Sequence, residues 1–138
     1  SPLPNFYSPL TNVSITRGII HNYHHGIDMI DLYNNKSVYN IEECKIIKIN
    51  YPKYLRNYSE YSQEALKNTP WISCESDNYI YTYTHIYNPK LKEGKILFKG
   101  QYISNYTNLG FATGSHLHLS IFDKVNKKLI NLKSLLKI

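Results

Sequence analysis

Leu117-His118-Leu119-Ser120-Ile121-Phe122 alternates apolar and polar side chains over its first four positions and then stays apolar. A two-residue period marks a strand with one face on a core. The residues just before it, Gly114-Ser115-His116, extend the pattern backwards. His116 and His118 then share one face, about 6.6 Å apart along the strand, while Leu117 points into the opposite layer. Working outward, Tyr79-Ile80-Tyr81-Thr82-Tyr83-Thr84 and Trp71-Ile72-Ser73-Cys74 are β-branched and aromatic, with Asp77-Asn78 as a turn between them. Lys45-Ile46-Ile47-Lys48-Ile49 and Lys95-Ile96-Leu97-Phe98, the latter between Gly94 and Gly100, complete a set of short strands. The chain reads as mainly β, with antiparallel sheets.

One segment departs from this pattern. Residues 58–68 contain Ser59, Glu60, Gln63, Glu64, Ala65 and Leu66, a helix-compatible run stopped by Thr69-Pro70. It interrupts the hairpin expected between the strands near 47 and 72, so residues 51–70 form a helical insertion. A connection of about twenty residues inside a compact domain is often functional. The expected place of this one is the rim of a substrate groove.

At 138 residues and 42% hydrophobic composition, residues 1–138 are expected to form a single domain around one core. No run approaches the roughly 18 apolar residues of a membrane-spanning helix, and Ser1-Pro2-Leu3-Pro4 lacks the basic start of a signal peptide. The chain as given is expected to be soluble, with any targeting segment or partner domain lying before Ser1. The net charge of +6 would attract polyanions, but the lysines are scattered rather than striped, and Lys127-Lys128 reads as a solvated turn. Fourteen tyrosines are explained by AT-rich coding and make no stacking platform by count alone. Cys44 and Cys74 are too far apart in sequence for a zinc knuckle or a redox motif, leaving free core thiols or one disulfide. If the strands that carry them are neighbours, a bond between them is within reach.

The histidines carry the chemistry. In His24-His25-Gly26-Ile27-Asp28 an imidazole and a carboxylate, both zinc-ligand types, are four positions apart. A straight strand would separate their Cα atoms by about 13 Å. Gly26 permits the bend that would close this gap. His25 falls on the opposite pleat and is expected to face away, and His21 is structural or exposed. His85 closes the most aromatic strand, where a lone histidine is more often structural. Read without a family, each cluster also admits a bland account, a polar turn at 24–28 and two surface histidines at 116 and 118.

The order His24-x-Gly26-x-Asp28, Tyr83-x-His85, His116-x-His118 resembles the lysostaphin/LytM (M23) peptidases of bacterial cell-wall remodelling. Leu91-Lys92-Glu93-Gly94-Lys95-Ile96, Lys99-Gly100-Gln101-Tyr102-Ile103, the Gly110-to-Ser115 approach and the 129–136 tail resemble the text between that family's motifs. The resemblance implies a sandwich-like antiparallel LytM/lysostaphin (duplicated-hybrid-motif) fold. It implies one zinc ion held by His24, Asp28 and His118 with a fourth position for water, His116 as general base, and His85 hydrogen-bonding the water or the developing oxyanion. It further implies cleavage of peptide bonds in peptidoglycan, either a stem-peptide cross-link or a glycine-rich bridge, in the periplasm or outside the cell. Nucleic acid is not an expected partner. The chain departs from the family at Glu43-Cys44 and Ser104, where glycine is usual, and in the 51–70 insertion. Two rivals remain: a LytM-fold scaffold or activator without catalysis, and a basic polyanion-binding module.

Overall fold

The computed structural model describes residues 6–20, 23–51, 67–107 and 115–136. They form ten strands and a short helix: β1 (Val13–Arg17), β2 (Ile27–Asp31), β3 (Ser37–Tyr39), β4 (Cys44–Asn50), β5 (Trp71–Glu75), β6 (Tyr79–Thr84), β7 (Ile96–Leu97), β8 (Tyr102–Asn105), β9 (Leu117–Asp123), β10 (Lys128–Ile130) and α1 (Leu132–Leu136). The main sheet runs β1-β2-β9-β6-β5-β4-β7, with β10 also on β9, and β3 pairs with β8 separately. Every pairing is antiparallel. The mainly β, antiparallel architecture expected from the alternating runs is therefore observed.

β9 is the hub of the large sheet. One side pairs along its length with β6, from Tyr79↔Asp123 to Thr84↔His118. The other side is shared: β2 takes the first half, from Met29↔Leu117 to Ile27↔Leu119, and β10 takes the second. Leu117, Leu119 and Ile121 are fully buried and the residues between them are not. The strand's alternation thus becomes one core face and one open face. On the core face these leucines meet Ile27, Met29, Ile46, Ile72, Tyr81 and Tyr83.

The two buried tyrosines also carry phenols that need partners. Tyr83 donates to Asn40 Oδ1 at 2.9 Å and accepts from the Ile41 amide, and Tyr81 donates to Glu42 Oε1 at 2.8 Å. Burial first, then Glu42, pushes the Tyr81 hydroxyl far above its ordinary range. Asn40 in turn donates to the carbonyls of Glu42, Leu97 and Phe98. A hydrogen-bonded knot therefore fixes the connection between β3 and β4 against β6 and β7.

Some sequence expectations changed in extent. The 95–98 run narrows to Ile96–Leu97, and the 45–49 run lengthens to Cys44–Asn50. Lys127 does turn, at φ 53°, but Lys128 already belongs to β10. β1, β2, β3, β8 and β10 had no counterpart among the expected strands, since short strands leave too few residues for a period. The helix expected within 51–70 falls largely on residues 52–66, outside the described residues; of the 58–68 run only Lys67 and Asn68 are described, and both are helical.

β4 and β5 are neighbours, as the interrupted hairpin required. Cys44 and Cys74 form a disulfide across them, with Cα atoms 5.5 Å apart and 30 positions between them in sequence. Closing a loop of that size removes about 3 kcal/mol of unfolded-chain entropy in the simplest account. Replacing both cysteines with serine is expected to lower unfolding free energy by about that amount, read as a lower urea midpoint at unchanged slope. An unchanged midpoint would show the bridge to be energetically idle.

Candidate metal centre

The open face of β9 gathers the polar residues in one row. Asp28 of β2 and Thr84 of β6 both stand directly opposite His118, and opposed residues of antiparallel strands share a face. His116, two residues earlier, reaches the same side, and Leu117 between them is buried in the other layer. His24 comes from the segment before β2. Its amide and carbonyl are both bonded to Ile20, at 2.8 and 3.0 Å, so a tight loop presents the imidazole.

The distances describe a carboxylate ringed by imidazoles. Asp28 Oδ1 is 2.8 Å from His118 Nδ1 and 3.5 Å from His116 Nε2, and Oδ2 is 3.2 Å from His24 Nε2. One ligand atom from each of His24, Asp28 and His118 lies within 4.8 Å of the others. A tetrahedral ion with bonds of about 2.0 to 2.1 Å sets its ligand atoms roughly 3.4 Å apart. The donor set, two imidazoles and one carboxylate, fits zinc by chemistry and by these spacings. His24 Nδ1 lies 2.9 Å from the Gly18 carbonyl, which fixes that nitrogen as the donor and frees Nε2 for the cluster. This outer contact had no signal in the sequence, because it depends on the loop bringing Gly18 back beside His24.

Glycine at 26 has a different cause from the one expected. The left-handed glycines of the described chain are Gly94 and Gly100, so no special φ is needed at 26. A Cβ there would instead lie 2.7 Å from His118 Nε2 and 2.8 Å from the Leu119 carbonyl. Space, not backbone freedom, requires glycine.

His85 reaches the cluster by a second local device. It follows Thr84, which already faces the site, so simple alternation would return His85 to the buried side with Tyr83. Its φ of 67° breaks the alternation, and its ring comes within 4.6 Å of the His116 ring and 6.3 Å of the His118 ring, centroid to centroid. A left-handed non-glycine residue costs about 1 to 3 kcal/mol and persists only where its surroundings hold it. Here the Thr107 amide bonds the His85 carbonyl at 2.8 Å, and Ile86 forms a bridge with Tyr106.

Burial, reinforced by His116 and His118, pushes His85 down to about 4, against the opposing pull of Asp28. Burial likewise holds His118 below its ordinary value, although its hydrogen bond to Asp28 works the other way. Both are therefore neutral at pH 7, the form an imidazole needs to bind a metal. Of the remaining histidines, His25 is exposed, and His21 lies outside the described residues. The other four, together with Asp28, converge.

This sheet defines the lysostaphin-type β fold, and it carries a compact cluster of candidate metal ligands. The sequence pattern of peptidase family M23 matches residues 22–132, and the chain belongs to that family. Its structure resembles a chain of the SpoIIQ–SpoIIIAH pore-forming complex (TM-score 0.70, 14% identity, covering 97% of this chain and 92% of that one). It also resembles the catalytic domain of the antimicrobial peptidase lysostaphin from Staphylococcus simulans (0.62, 21%, 96% and 90%). A third likeness is to a zinc-containing peptidase from Vibrio cholerae (0.58, 18%, 86% of this chain). This chain spans only 35% of that last protein. Identities this low establish the fold and not the activity. No curated protein matches the sequence.

Two outcomes follow from this geometry. Gly26→Ala should displace the His118 ring and lower metal affinity, measured by competition with a chelating dye, while the Cys44–Cys74 end of the sheet keeps its amide protection; unaltered affinity would mean that the ring has room to move. In the metal-free protein His85 should stay neutral as pH falls from 7 to about 5. The fold lowers its pKa to about 4, so the stability linked to it is complete above the unfolded value near 6.5 and is lost progressively as pH falls from there toward 4, where the folded ring also takes up its proton. Imidazole nitrogen shifts followed by NMR report this directly, and protonation of His85 at pH 6 would contradict it.

Proposed function

We propose that this chain is a zinc-dependent endopeptidase that hydrolyses peptide bonds in peptidoglycan, and that residues 1–138 constitute its M23-type domain. The observation that carries the reading is the convergence of five side chains: His24, Asp28 and His118 with ligand atoms in mutual reach, and His85 and His116 stacked edge to face beside them. In this assignment the first three hold the ion. Zinc bound there supplies Lewis acidity toward the scissile carbonyl and makes water at the site more acidic.

The chain's own residues do the rest. His116 Nε2 faces the cluster 3.5 Å from Asp28, where it accepts the proton of the attacking water and returns it to the departing amine. His85, held neutral by burial, offers a hydrogen bond to oxygen at the reacting carbon without adding charge beside the ion. His24 and Asp28 keep their orientation through the Gly18 carbonyl and the flanking imidazoles. Peptidoglycan as substrate, in a stem-peptide cross-link or a glycine-rich bridge, is the reading supported by family membership. The disulfide supports an oxidising compartment, the periplasm or the cell exterior. No helix among the described residues is long and apolar enough to cross a membrane.

A second reading, a scaffold that docks other proteins, is favoured by the likeness to a chain of a pore-forming complex. A scaffold has no need for five converging site residues. Incubating the zinc-loaded domain with purified peptidoglycan and weighing the released fragments separates the two, and absence of new fragments would favour the scaffold. Within the hydrolase reading, His118→Ala should lose the metal and with it the activity. His116→Ala should keep stoichiometric zinc and lose about 10² to 10⁴ in turnover, the usual contribution of a positioned general base. Equal loss of zinc in both variants would make His116 a ligand and remove the proposed base.

A further inference from the structure

We propose that Arg17 is a carboxylate-recognition residue of the same site, selecting peptides with an acidic group within two residues of the cleaved bond; this rests on the hydrolase reading. β1 runs along β2 in simple register from Val13↔Asp31 through Ser14↔Ile30 to Ile15↔Met29, and then the register shifts so that Arg17, not Thr16, stands opposite Asp28. Without that bulge Thr16 would face the site and Arg17 would align with Ile27, on the core side. Bulges next to active sites commonly re-aim a side chain in this way. Arg17 therefore shares the face of Asp28, two strands from His118, or roughly 10 Å at the usual strand spacing.

The guanidinium is held and its fork is open. Its carbon lies 4.9 Å above the Tyr23 ring, and both residues are exposed. Tyr23 directly precedes His24 and its amide bonds the Ile20 carbonyl at 3.0 Å, so the aromatic support is tied to the loop that presents a cluster imidazole. Among the described residues no carboxylate lies within ion-pair distance of Arg17, and neighbouring Asp28 is engaged by His24, His116 and His118. A guanidinium stacked on one face keeps its N–H edges free for a bidentate carboxylate. A peptide lying over the row Arg17–Asp28–His118–Thr84 would place a side-chain or terminal carboxylate there.

The test uses N-acetylated hexapeptides of glycine and alanine in which each position in turn is Glu or its neutral isostere Gln. With the zinc-loaded domain, kcat/KM should favour Glu by about tenfold or more at a position within two residues of the bond, the scale of one charge-assisted pair. The gain should appear in KM. Arg17→Gln should collapse the Glu/Gln ratio toward one and Arg17→Lys should restore part of it, with zinc content checked in both. A wild-type ratio near one, or a ratio that survives Arg17→Gln, overturns the assignment while leaving the hydrolase reading intact. If no peptide is cut, the hydrolase reading fails for these substrates, and calorimetric titration of the same peptides decides. Tighter Glu binding that disappears in Arg17→Gln upholds carboxylate recognition, and equal or absent binding overturns it.

Discussion

Asp28 stands opposite His118 in the β2–β9 ladder, and nearly everything at the centre depends on that register. Side chains alternate strictly across a sheet, so a slip of one residue between these strands would send Asp28 to the core and bring Ile27 or Met29 into its place. The register is guarded from behind. Ile27 and Met29 on one strand and Leu117 and Leu119 on the other are fully buried, and each contributes on the order of 2 kcal/mol of apolar burial that a slip would forfeit. The ionisable residues of the open face are positioned by hydrophobic residues on the opposite face of the same strands.

That separation of labour resolves an electrostatic difficulty. Imidazoles and a carboxylate crowded together, with side chains between 12% and 22% exposed at His24, Asp28, His116 and His118, could not all remain if the histidines were cations. Burial favours the neutral ring at His85 and His118, and neutral rings are what a metal requires. The buried side of the same strands is stabilised by different means. The Cys44–Cys74 bridge and the Tyr81, Tyr83 and Asn40 knot lock β4, β5 and β6 together one to three residues before Thr84. That stiffness lets the end of β6 hold a strained residue.

Much of this could be read from the chain because it depends on local period. His116 and His118 on one face, Leu117 on the other, the β5–β6 hairpin at Asp77-Asn78 and the neighbouring cysteines are all properties of short segments, and period and turn chemistry reveal them. The convergence of His24 and Asp28 with His118 was legible only through the resemblance, because no local rule brings residues ninety positions apart together. Gly26 was recognised as necessary, but for its φ, whereas the structure shows a lack of space beneath His118 and Leu119. A glycine that is close to a neighbouring strand and one that turns the chain look the same in sequence. β1, β2, β3, β8 and β10 were missed because three to five residues rarely display a period.

Two residues that escape the period flank the cluster. His85 would point into the core with Tyr83 if β6 simply continued, and its positive φ turns it to the site. Arg17 would point the same wrong way if β1 had no bulge, and one extra residue turns it beside Asp28. Both devices break strand regularity at the end of a strand, where few ladder hydrogen bonds are lost. A regular sheet can offer only every second residue to one face, spaced by the strand geometry. A centre that needs donors from adjacent positions, such as Thr84 and His85, must interrupt the pleat to obtain them. Local departures from the pattern are therefore where function constrains the chain most directly, and in this protein they mark the two ends of a single row across β1, β2, β9 and β6.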